Sequence, residues 1–142
     1  MQVMKPAVEA IPPSSDAISL LVAEDDMTVR ILLKAIINKK FPGATVHLAE
    51  NGRAGVDLFK LHQPEIVITD ISMPVMDGIQ MAREIRALRA AAKIIVISAC
   101  DEAHYCEIFG QIGIEDFIVK PIMLVRLLAV IEKCLDEVPP AS

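Results

Sequence analysis

Residues 67–80, VITDISMPVMDGIQ, bring an apolar run to an abrupt end on a single acid, Asp70. Three other short apolar runs also end on chemically useful side chains. ISLLVA (18–23) is followed by Glu24, Asp25 and Asp26, KIIVIS (93–98) closes on Ser98, and DFIVK (116–120) closes on Lys120. Brought to one place, several carboxylates repel one another and must take up protons or recruit a cation. An all-oxygen set of this kind suits Mg²⁺, which keeps water and shares its sphere with a phosphoryl oxygen. An aspartate beside such a metal can act as a nucleophile and form an acyl phosphate. Lys120 would meet one phosphoryl oxygen as a point charge, and Ser98 would donate a hydrogen bond to another. Together these groups bear on charge spread over three equatorial oxygens, which is what phosphoryl transfer needs.

Such a site exists only if the runs share an edge. With TVHLA (45–49) they number five, EIVIT (65–69) being the run that ends on Asp70, and three are nearly continuously apolar and rich in Ile and Val, as strands covered on both faces are. Helical spacing separates them. Residues 27–39 carry Val29, Leu32, Leu33, Ile36 and Ile37; 51–62 carry Val56, Leu58 and Phe59; 78–90 carry Ile79, Ala82, Ile85 and Leu88. The stretch 101–111 is the weakest helix, ended by Gly113, and 122–137 carries Leu124, Leu127, Leu128, Ile131 and Leu135 on one stripe. The alternation predicts a (βα)₅ chain, hence an open, mostly parallel sheet with helices on both faces. In such a sheet the C-terminal strand tips share one edge, where ligands bind.

The 142 residues are enough for one domain with a sizeable core, and 54% apolar against 4% aromatic makes that core aliphatic. A net charge of -5 argues against a general nucleic-acid binder. No apolar run approaches the roughly 18 residues of a membrane span, and the start has no signal-peptide core. The expectation is a soluble cytoplasmic domain. Residues 1–16, with Pro6, Pro12 and Pro13, read as a flexible leader; 17–137 form the domain; 138–142 are a short tail after Pro139 and Pro140 close the last helix. Cys100, Cys106 and Cys134 fit neither a disulfide framework nor a zinc site and read as small apolar residues.

VAEDD, ITDISMPVMDG, VISA and FIVKP stand in order on successive strand tips. In these motifs the chain resembles a response-regulator receiver domain of the single-domain, chemotaxis-regulator type, over residues 17–137. The resemblance implies a flavodoxin-like (βα)₅ doubly wound sheet of five parallel strands in the order 2-1-3-4-5. It implies that Asp70 is the phosphoacceptor, and that Mg²⁺ is held by Asp25, Glu24, Asp70 and the backbone carbonyl of Ser72. Ser98 would be the switch hydroxyl, Phe117 the aromatic ring that changes rotamer, and Lys120, before a cis Pro121, the cation of the site. The implied function is a two-component signalling receiver. A histidine kinase or phosphotransfer protein would donate the phosphoryl group, and the switched domain would control an output partner. That partner would dock on helix 4, strand 5 and helix 5, with homodimerisation on activation a further implication. Such a domain catalyses its own aspartyl phosphorylation and dephosphorylation and is no enzyme toward a dissociable substrate. The alternatives are a phosphorylation-independent pseudo-receiver and an excised receiver of a larger regulator or hybrid kinase.

Rival classes fit less well. Phosphatases with an aspartate nucleophile usually place a second acid where this chain has Ser72, and EDDMTV lacks the glycines of a nucleotide loop. Neither Ser72 nor Cys100 can hold an attacking water firmly, so the phosphorylated form is expected to outlive that of fast-resetting chemotaxis regulators. Phe117 lacks a phenol, so its switching must work by packing. Asp26 and Asp77 read as helix caps or turn residues, and Met73 and Met76 as loop packing. His47, His62 and His104 lie scattered on separate elements, as structural or surface residues. On the last helix, Met123, Val130 and Cys134 form a flank that is either a broad buried stripe or a partner surface.

Overall fold

Branched aliphatic side chains fit a pleated surface buried on both sides, and they build all five strands of this chain. The structure, a computed structural model, describes residues 18–99 and 105–138; the leader, Cys100, His104 and residues 139–142 lie outside them. The strands are β1 (Ser19–Ala23), β2 (Thr45–Ala49), β3 (Ile66–Asp70), β4 (Lys93–Ser98) and β5 (Asp116–Val119). They alternate with α1 (Met27–Lys40), α2 (Gly52–His62), α3 (Gly78–Leu88), α4 (Cys106–Ile112) and α5 (Leu124–Glu137). Every pairing is parallel and the order is β2-β1-β3-β4-β5, the flavodoxin-like arrangement expected.

Successive strand residues point to opposite faces, which divides the core in two. Leu20, Val22, Ile68 and Ile97 pack with Ile37 and Leu127 on the α1 and α5 side. Leu21, Val67, Val96 and Phe117 pack with Phe59 and Phe109 on the side of α2, α3 and α4. The central strand β3 is buried along its whole length and carries polar side chains only at its last two positions, Thr69 and Asp70. Asp26, Asn51 and Asp77 cap α1, α2 and α3 by accepting from the backbone N–H groups of Val29, Ala54 and Gln80.

Some expected helix faces are corrected. Leu32, Leu88 and Leu124 are exposed: Leu32 lies in mid-helix beside the buried Leu33, outside the buried stripe of α1, while Leu88 is the last residue of α3 and Leu124 the first of α5. On α5, Cys134 is buried and Val130 packs against the core, so this flank is mostly a broad buried stripe; only Met123 remains well exposed. No described helix is long and apolar enough to cross a membrane.

His47 and His62 are not scattered. Their rings stack with centroids 3.9 Å apart at 14°, joining β2 to the last turn of α2. Burial pushes the His47 imidazolium below its ordinary value, helped by the positive charges of His62 and Lys34. The unfolded chain therefore takes this proton first. The stabilisation is complete above about pH 6.5 and is lost as pH falls toward the lower folded value. Denaturant midpoints taken from about pH 7.5 down to about 5.5 should decline in the wild type and decline less in His47→Gln.

Candidate functional site

Register decides which side chains meet. β1 lies beside β3 with Ala23 paired to Thr69, so the next residues, Glu24 and Asp70, emerge side by side. Lys120 comes from β5, which β4 separates from β3. Its backbone N–H donates to the Ser98 carbonyl (2.8 Å), and its Nζ crosses the β4 tip to Asp70 Oδ2 at 2.7 Å and to within 3.7 Å of Glu24 Oε1. The Lys120–Pro121 peptide is cis.

Glu24 and Asp70 are only 4% and 8% exposed, whereas Asp25 faces solvent. Carboxylate oxygens of all three lie within 4.8 Å of one another. Asp70 Oδ1 accepts from the Ile71 N–H (2.6 Å) and Glu24 Oε2 from the Asp26 N–H (3.0 Å). Burial raises the Glu24 carboxyl above its ordinary range, and the negative charge of Asp70 adds to that, against the opposing Asp26 N–H and Lys120 charge. Burial draws the Lys120 ammonium down, but the hydrogen bond and charge of Asp70, together with Glu24, outweigh it and leave Lys120 raised. Three carboxylates facing one ammonium leave an excess of two negative charges in a partly buried pocket. That oxygen-only excess fits one hard divalent cation.

The other expected residues divide. Ser98 is buried at the β4 tip. Ser72 lines an open cleft together with Asp25, Met73, Asp77 and Tyr105. Phe117 sits apart from the carboxylates, buried against Phe109 of α4 with ring centroids 5.3 Å apart. Asp26 caps α1 and is not among the three clustered acids.

Sequence reasoning missed several supports. Arg30 donates to the Glu24 carbonyl (2.6 Å), fixing the loop after β1. The Thr69 hydroxyl donates to the Asp70 carbonyl (2.7 Å), and the Gly78 N–H donates to the Ile71 carbonyl (2.8 Å). A Cβ on Gly78 would overlap the Asp70 carbonyl oxygen, so α3 can begin this close to the β3 tip only with glycine there. Between them, exposed Val75 holds φ 70° while the Met76 N–H donates to the Pro74 carbonyl (2.7 Å), the hydrogen bond of a γ-turn. A positive φ is costly for a β-branched residue. The Asp-Gly pair signalled a turn; the clash that makes the glycine necessary needed the three-dimensional approach.

Comparison with known proteins agrees with this architecture. Residues 20–132 match the response regulator receiver domain family. The chain is 38% identical over 117 residues to the chemotaxis protein CheY of Bacillus subtilis, covering 82% of this chain and 97% of that protein. It is 32% identical to the response regulator MprA of Mycolicibacterium vanbaalenii over 87% of this chain, but spans only 52% of that longer relative. The solved N-terminal domain of an uncharacterized Wolinella succinogenes protein superposes with a TM-score of 0.78 at 38% identity, covering 84% of this chain and 95% of that one.

Gly78→Ala should lower unfolding stability by about 2–3 kcal/mol, since backbone rather than a flexible side chain must yield. Equilibrium denaturation checks this. An unchanged midpoint would mean that α3 can shift away from β3 at little cost.

Proposed function

The chain belongs to the response regulator receiver domain family, and on that premise we propose that Asp70 accepts a phosphoryl group from a phosphohistidine of a histidine kinase or phosphotransfer protein. The observation that carries the reading is the Lys120 ammonium on Asp70 Oδ2, beside the acids Glu24 and Asp25.

An Asp70 carboxylate oxygen attacks phosphorus, and the bond to the donor imidazole nitrogen breaks. The electron pair stays with that nitrogen, which takes up a proton and leaves as histidine. Asp70 then carries a mixed anhydride. Lys120 exchanges its contact with Asp70 Oδ2 for one with a phosphoryl oxygen, and Ser98 donates to another. Glu24, Asp25, Asp70 and the Ser72 carbonyl would hold Mg²⁺, whose charge offsets that of the phosphoryl oxygens when it is bound. The rest of the work is done by the backbone. The Ile71 N–H holds Asp70 Oδ1, and the Lys120 N–H holds β5 against the Ser98 carbonyl.

Phosphorylated Asp70 then favours an arrangement of Ser98 and Phe117 that an output partner binds better, on the face formed by α4, β5 and α5. Self-catalysed phosphorylation and dephosphorylation are the domain's only chemistry, and it works in the cytoplasm, where its donors meet nucleotide. Ser72 offers neither acid nor amide to position a hydrolytic water, which supports a long-lived phosphoryl group; Cys100 lies outside the described residues.

Intact mass after incubation with acetyl phosphate and Mg²⁺ is the direct test. Wild type should gain one phosphoryl group, and Asp70→Asn or a chelator should abolish the gain. A wild type that gains nothing would instead favour a pseudo-receiver acting through phosphate-independent binding.

The charge excess makes a separate prediction for melting in the absence of any phosphodonor. Glu24→Gln should melt higher than wild type without divalent ions, because one repelling buried acid has gone. Added Mg²⁺ should raise the wild-type midpoint in proportion to its occupancy and move the variant much less.

A further inference from the structure

We infer that Arg30 of α1 is a positioning residue that sets how firmly the acids at the β1 tip hold a divalent cation. The inference rests on the reading of Glu24, Asp25 and Asp70 as the seat of Mg²⁺ and adds to it a residue that bonds to their backbone. Glu24 is the first residue beyond β1, and Arg30 stands in the first turn of α1. Side chains of a helix lean toward its N-terminus, and this one runs back to the loop from which the helix starts. Its Nη1 donates to the Glu24 carbonyl at 2.6 Å and approaches the Asp25 carbonyl at 3.4 Å. The first contact is a short, charge-assisted hydrogen bond, and the second lies near the outer limit for one.

A peptide unit is planar. Holding the Glu24 carbonyl therefore holds the plane between the two acids, and with it the ψ of Glu24 and the φ of Asp25. Those two angles decide where both side chains leave the backbone. Neighbouring groups are already committed. The Glu24 N–H donates to the Ala49 carbonyl (2.9 Å), and the Asp26 N–H donates to Glu24 Oε2 (3.0 Å). The Arg30 N–H donates to the Asp26 carbonyl (2.9 Å), and Asp26 Oδ1 caps α1 by accepting from the Val29 N–H (3.2 Å). Residues 24–30 are thereby closed into one unit, with Glu24 Oε1 left toward Lys120 and the carboxylate of Asp25 left in solvent. Asp25 is the acid with the least burial around it, so its direction depends most on the backbone behind it. Ligands set in advance bind more tightly, because less ordering is left for the binding step.

The charge of Arg30 acts in the opposite direction. A fixed cation beside the site repels a second one. Were charge to govern, removing Arg30 would tighten Mg²⁺ binding; with positioning in control, removing it loosens binding. The repulsion crosses a half-exposed surface and is screened there, whereas the bond to the Glu24 carbonyl is direct. Positioning therefore prevails, and the two effects differ in sign.

Calorimetric titration of the full chain with Mg²⁺, without a phosphodonor, reads that sign. Arg30→Met keeps an unbranched apolar stem and loses the donors and the charge. Its dissociation constant should rise about tenfold or more, as when a group that orients a metal ligand is removed. Arg30→Lys keeps the charge and a compact donor, and should fall between wild type and Arg30→Met. A merely structural contact would lower the metal-free melting midpoint and leave the dissociation constant of the folded protein unchanged. That result, or tighter binding in Arg30→Met, overturns the inference. Where Arg30→Met does not fold, Arg30→Lys decides: weaker binding supports the inference, and binding equal to wild type overturns it. Intact mass with acetyl phosphate and Mg²⁺ keeps the two readings apart. A wild type that takes up Mg²⁺ and a phosphoryl group, while Arg30→Met binds Mg²⁺ equally well, overturns only the role of Arg30. A wild type that takes up no Mg²⁺ overturns that role and the reading of the acids together.

Discussion

Everything at the functional edge depends on one ion pair that skips a strand. Lys120 directly follows β5 and Asp70 ends β3, strands that do not pair, and the ammonium reaches over the β4 tip to meet the carboxylate at 2.7 Å. A pair confined to adjacent strands would add little to the ladder already joining them. This one makes the position of the edge strand depend on the charge state of the central one. It also sets what the rest of the site must supply. With Glu24 and Asp25 nearby, one ammonium does not balance the acids, an excess that one divalent cation would offset.

Holding such an arrangement requires a backbone with few alternatives. β3 is buried to its tip, so Asp70 cannot relieve its repulsion by moving into water. The loop behind it is fixed from both sides: the Thr69 hydroxyl and the Gly78 N–H occupy the carbonyls of Asp70 and Ile71, and Asp77 caps α3. Fixed ends force the middle, and Val75 takes a left-handed conformation that costs on the order of 1–3 kcal/mol. Strain of this size persists only where surrounding contacts over-determine it, and here those contacts are the ones that place Asp70.

The sequence made much of this legible for a specific reason. In a parallel sheet the residue just past each strand is also the residue at the ligand-binding edge, so strand ends read directly as a site. Hence Glu24, Asp70, Ser98 and Lys120 could be placed at one edge from spacing, and the family resemblance supplied the strand order. What stayed hidden depended on contacts between distant elements. No periodicity shows that His47 stacks on His62, that Gly78 must lack a Cβ because of Asp70, or that Arg86 closes the end of α4. Helix faces failed at the ends, as at Leu88 and Leu124, where a stripe of fixed spacing leaves a twisted sheet, and in mid-helix at Leu32, which lies beside the buried Leu33 and outside the stripe.

A phosphoryl group can shift the domain's equilibrium only through groups it contacts differently in the two states. Lys120, which contacts Asp70, directly follows the short edge strand β5, which is bonded to β4 alone among the described strands. An edge strand bonded on one side is the cheapest part of the sheet to displace, because no ladder on its far side must break. The helix that precedes it in the chain, α4, is the shortest of the described helices. By contrast β3, which ends on Asp70, is paired on both sides and buried throughout. The three carboxylates thus lie at the tips of strands paired on both sides, β1 and β3, and the cation that meets them follows a strand paired on one side only.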